Sequence, residues 1–126
     1  GADMKSWAMA LTILAGLMGA SGVGVGAAAA HVTGGGALET AGFYLLVHAA
    51  AVGGIALNNW NSKIYLIAAS FLALGAILFG GDIALRTLAG FRLFPMAAPT
   101  GGMILIAGWL VLALGGVVNL ARRSTG

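Results

Sequence analysis

Charge is what this chain has least of. Charged residues make up 7% of its 126 positions, against about 25% in soluble domains. Between Ser6 and Ala121 they are Glu39, Lys63, Asp82, Arg86 and Arg92 alone. A soluble domain this small needs a wide polar surface, and a sequence that is 60% hydrophobic has too few polar side chains to make one. Cysteine is absent, which excludes a disulfide framework, a thiol nucleophile and any Cys-ligated metal. The net charge of +3 is not a nucleic-acid footprint, because the basic residues are scattered at segment ends instead of clustered on one face.

What the chain does have is long apolar runs. The few charges divide it into four, each about long enough to cross a bilayer, since a spanning helix needs about 20 apolar residues. The spans fall at about 7–30, 41–57, 64–85 and 100–120, the second being the shortest. The expected fold is therefore all-α, an integral membrane four-helix bundle forming a single domain over 4–126. Gly1-Ala2-Asp3, ahead of Met4, reads as a cloning remnant. Met4-Lys5 followed by an apolar run and Ala27 to Ala30 also has the pattern of a cleavable signal peptide, but the run is longer than the usual apolar core of about 7–15 residues.

The connections differ in kind. Gly34-Gly35-Gly36 marks a turn within His31 to Thr40. Asn58 to Lys63 is a short polar hairpin in which Trp60 suits the headgroup level. Arg86 to Pro99 is mixed, and reads either as an interfacial segment with buried aromatics and a snorkelling Arg92 or as an ordinary loop. Pro99 suits the start of the fourth helix. Four spans place both termini on one side, together with Lys5, Lys63, Arg122 and Arg123, leaving Arg86 and Arg92 on the other. The positive-inside rule puts the termini in the cytoplasm.

Lipid is as apolar as leucine, so close approach through small residues must hold such helices together. Gly101, Gly108 and Gly115 recur every seven residues and share a stripe. Gly19 and Gly26 do the same in the first span, and Gly22 pairs with Gly26 at small-xxx-small spacing. These glycines are the expected packing positions. A homo-oligomer or a larger membrane complex is consistent with so small a unit in the lipid bilayer.

Following the chain direction, His31, Glu39, Tyr44, His48, Asp82, Arg86 and Thr100 should gather in the outer half of the bundle. Of these, His31, Tyr44, His48, Asp82, Arg86 and Thr100 form the candidate ligand site. An ionisable residue inside a span is a functional candidate, and His48 is the sharpest, about 10 Å deep on the expected span. The blander reading is a neutral imidazole bonding across helices, with Tyr44 one turn earlier as a possible partner. Asp82 and Arg86 stand at i and i+4 in the favourable order, either as a structural ion pair or as an anionic gate or proton relay with His48. His31 and His48 are weak metal candidates, because they lack ligand spacing on one helix. No nucleophile–base motif, phosphate loop or cofactor fingerprint occurs, and Gly22-x-Gly24-x-Gly26 follows no strand. Only His48 with Asp82 offers an enzyme anything to work with.

Four blocks together carry a family resemblance. They are Gly24-Val25-Gly26-Ala27-Ala28-Ala29-Ala30-His31; Tyr44 with His48; Phe71-Leu72-Ala73-Leu74-Gly75 to Leu78-Phe79-Gly80-Gly81-Asp82; and Ala98-Pro99-Thr100-Gly101-Gly102 to Gly108-Trp109. The chain resembles the small bacterial inner-membrane family catalogued as domain of unknown function 423, related to eukaryotic transmembrane protein 256. The resemblance spans nearly the whole chain, and the last block is its most specific part. It implies four transmembrane helices and names no activity. Four positions depart from the pattern: Leu45 in place of a polar residue, Gly80 and Asp82 in place of the two serines of Ser-Gly-Ser, and Ala84 in place of an aromatic.

Overall fold

The computed structural model describes residues 2–59 and 61–125, so Trp60 lies outside the described residues. Helix α1 runs Ala2–Ala28 and continues as a π-helical turn over Ala29–Thr33. Helices α2 (Ala37–Asn58), α3 (Lys63–Ala89) and α4 (Ala97–Thr125) follow. All four are long and apolar enough to cross a membrane. The shortest, α2, has 22 residues, about 33 Å at 1.5 Å per residue, which matches a hydrocarbon core of about 30 Å.

The helices overrun their expected ends because the turns are short. The break after the first span narrows to 34–36, where Gly34, Gly35 and Gly36 all take positive φ, a region that a side chain makes costly. At the end of α3, Gly90 sits at φ 80° and its N–H bonds the carbonyls of Leu85 and Arg86, a left-handed helix cap. Pro99 falls in the first turn of α4, where its missing N–H costs nothing. In the 90–96 connection, Phe91 and Phe94 are exposed, not buried against the protein.

Helix α1 packs on α2, α2 on α3, and α3 on α4, with a lighter contact between α1 and α3. Among the described residues, the α4 backbone closely approaches only that of α3. The core therefore lies among α1, α2 and α3, where Leu11, Met18, Val52, Leu66 and Leu72 are buried together, and α4 adds Leu105 from the side.

Glycine sets the spacing. A Cβ on Gly101 would fall 2.5 Å from the backbone N of Phe79 and 2.8 Å from the Gly75 carbonyl, so α3 and α4 touch backbone to backbone there. Helices α1 and α2 do the same, with a Cβ on Gly42 falling 2.9 Å from the backbone N of Gly26 and 3.1 Å from the Gly22 carbonyl. Along the α4 stripe, Gly108 meets the Leu72 side chain at 2.9 Å and Gly115 meets the Tyr65 ring at 2.6 Å. Gly19 has ordinary room, with its nearest neighbour at 3.7 Å. An added Cβ on Gly26 would meet nothing within 4 Å, so that residue serves by admitting Gly42.

Candidate functional site

Among the described residues, two ionisable side chains are buried within the helices: His48 at 5% exposure and Asp82 at 2%. His48 is the twelfth residue of α2, which begins at Ala37. That places it about 16 Å along the helix, midway and deeper than a span starting near residue 41 implies.

Both ring nitrogens of His48 are engaged. Nδ1 lies 2.7 Å from the Tyr44 carbonyl, and Nε2 receives the indole N–H of Trp109 at 3.1 Å. An indole N–H can only donate and a carbonyl can only accept. Nε2 is therefore bare and Nδ1 carries the hydrogen, giving a neutral imidazole with both positions satisfied. Tyr44 contributes its backbone to this bond, while its ring stacks on the imidazole with centroids 5.7 Å apart. The bond to Trp109 joins α2 to α4, two helices whose backbones do not meet.

These side chains line a groove of about 420 Å³ between α2 and α4, completed by Phe79, Leu105 and Ile106. Its lining is mostly apolar. Phe79 also lines a second cavity of about 390 Å³, which holds Asp82, Arg86 and Arg92. The expected single polar cluster is thus two sites that share Phe79 as a wall.

At the second site Asp82 holds the connection to α4. Its Oδ1 accepts the Leu93 N–H at 2.9 Å, and its Oδ2 lies 3.5 Å from Nε of Arg86. A buried carboxylate is tolerable only when bonded in this way. His31, on the π-helical turn, and Thr100, in the first turn of α4, are both exposed. Glu39 is exposed as well, with its carboxylate folded toward Gly35. Among the described residues, no three His, Asp or Glu side chains are grouped to hold a metal ion.

This chain belongs to the DUF423 family. The model described as "Protein of unknown function (DUF423)" matches residues 25–102, which carry Tyr44, His48, Phe79, Asp82 and Arg86. Among curated proteins, the chain is similar to UPF0382 inner membrane protein YgdD of Escherichia coli K12 and to its counterpart in Shigella flexneri. Each is 34% identical over 122 residues, covering 90% of this chain and 92% of the relative. No solved structure matches. Trp109 lies beyond the part of this DUF423 chain that the family model covers.

Two indoles carry interhelical ties that charge and hydropathy do not mark. Trp109 ties α4 to α2, and Trp7 ties α1 to α3 through Ser70 Oγ at 2.8 Å. The available signal was chemical: a tryptophan inside a span carries an N–H that needs an acceptor.

Proposed function

We propose that this DUF423 protein is an accessory or assembly component of the bacterial inner membrane, acting by packing within the bilayer and not by catalysis. The observation that carries this reading is the complete use of its buried ionisable groups. His48 joins two helices and Asp82 fastens a connection. A general base or nucleophile needs a free atom aimed at a substrate, and these atoms are already committed to neighbours. The surface we assign to a partner is α4, the least covered of the four spans. Its Met103, Ile106, Leu110, Leu114 and Val117 are exposed at helical spacing.

The test is the mass of the native particle. Extracted with its lipid in polymer discs at natural expression levels, the 12.5 kDa chain should run as a defined assembly with a second copy or another membrane protein. A single chain in every mild condition contradicts the reading. We also place both termini in the cytoplasm, since the end that carries them has four basic residues against two at the other.

The groove between α2 and α4 favours a second reading, the binding of a small molecule or lipid. Its mostly apolar walls suit an acyl chain or a comparably apolar ligand better than an ion.

A further inference from the structure

We propose that the groove between the start of α3 and the end of α4 binds the headgroup of an anionic phospholipid. This inference stands independently of the accessory role. The groove has a volume of about 660 Å³. Asn61, Ser62, Lys63 and Tyr65 line one side, and Asn119 and Arg122 the other. Two of these side chains are cations and none is a carboxylate.

Packing along α4 explains why a groove opens here. At Gly101 the two helices touch through backbone, at Gly108 the Leu72 side chain and the Phe71 Cβ intervene, and at Gly115 the Tyr65 ring does. Each successive spacer is longer, so α3 and α4 diverge toward the end that carries the termini. Asn119 is fixed beside the gap by its Nδ2–H bond to the Gly115 carbonyl at 2.9 Å.

Position and charge select the occupant. Lys63 is the first residue of α3 and Arg122 lies in the last turn of α4. Both stand where the spans leave the hydrocarbon, at headgroup depth. A phosphodiester is an anion whose free oxygens only accept hydrogen bonds, and it meets here an ammonium, a guanidinium and two hydroxyls. Basic pockets between transmembrane helices attract anionic headgroups for this reason. A phosphatidylcholine headgroup would bring its own fixed cation against Lys63 and Arg122.

Native mass spectrometry of the delipidated full chain, with added phosphatidylglycerol or phosphatidylcholine, tests the proposal. The wild type should retain phosphatidylglycerol in preference to phosphatidylcholine. The double variant Lys63→Ala/Arg122→Ala should bind it roughly thirtyfold more weakly, from the contribution of two basic residues near a membrane surface. Lys63→Gln/Arg122→Gln should behave alike if the alanine form is unstable. Lys5→Ala/Arg123→Ala removes the same charge elsewhere and should bind as wild type does. Inorganic phosphate should not displace the lipid. Equal loss in both double variants, no loss in either, or no preference between the two lipids would overturn the proposal. Displacement by phosphate would assign the groove to the free anion instead.

Discussion

The indole N–H of Trp109 on α4 donates to Nε2 of His48 on α2 across 3.1 Å. This bond spans a gap that backbone packing leaves open, since among the described residues α4 approaches only α3 closely. Trp7 and Ser70 form the same kind of tie between α1 and α3. In lipid such bonds matter because no water replaces a lost partner.

The first prediction concerns that tie. His48→Ala and Trp109→Phe should each destabilise the folded protein, and the double variant should cost less than their sum. The coupling should be about 0.6 kcal/mol and no higher than about 1.7 kcal/mol, the average and the maximum of double-mutant cycles on interhelical hydrogen bonds in a membrane protein. A double-mutant cycle read by denaturation in mixed micelles measures it. Additive losses would mean that the two side chains do not meet.

Asp82 gives a second prediction. Asp82→Asn keeps an oxygen for the Leu93 N–H and loses only the ion pair with Arg86, which is partly exposed. Its cost should stay within about 1 kcal/mol. Asp82→Ala also strands the loop N–H and should cost about 1–3 kcal/mol more. Hydrogen exchange at Leu93 should be fast in the alanine variant and slow in the asparagine variant. Equal exchange in both would remove Asp82 from the role of loop fastener.

The glycines should rank by what an added Cβ meets. Gly101→Ala strikes backbone on both sides and forces the helices apart, at about 1–3 kcal/mol. Gly108→Ala presses on the Leu72 side chain at 2.9 Å, which can turn aside, and on the Phe71 Cβ at 3.0 Å, but on no backbone atom, so it should cost less than Gly101→Ala. Gly19→Ala finds ordinary contact distance and should be neutral or slightly stabilising. Unfolding of the three variants in one detergent system checks the order. A neutral Gly101→Ala would contradict the close approach of α3 and α4.

Topology is open to test because the chain has no cysteine of its own. Phe91→Cys should react with a membrane-impermeant maleimide in intact cells. Ser124→Cys should react only after the membrane is permeabilised. The reverse pattern would put the termini outside.

Much of the fold was legible in the sequence because lipid imposes one simple demand, an uninterrupted apolar helix. The four runs between Glu39, Lys63, Asp82 and Arg86 met it. Helix ends were less legible, because the glycines at 34–36 and at 90 turn the chain more tightly than a hydropathy pattern reveals. The seven-residue spacing of Gly101, Gly108 and Gly115 exposed one wall of the α3–α4 contact. Its facing residue, Gly75, belongs to no such repeat. The site was legible in composition but not in arrangement. His48 was visible as a buried polar residue, but its partner lies 61 residues away. That pairing depends on how α4 is rotated, and α4 carries large apolar side chains on its exposed and buried sides alike. The separation of His48 from Asp82 by Phe79 has no sequence signature.

The central claim is that His48 is a neutral structural tie with both nitrogens committed. Nitrogen-15 NMR of the selectively labelled histidine in bilayers at neutral pH reads this directly. The account predicts a hydrogen on Nδ1, a bare Nε2, and a through-bond or through-space correlation from Nε2 to the Trp109 indole N–H. A hydrogen on Nε2, or an imidazolium with both nitrogens protonated, would contradict it.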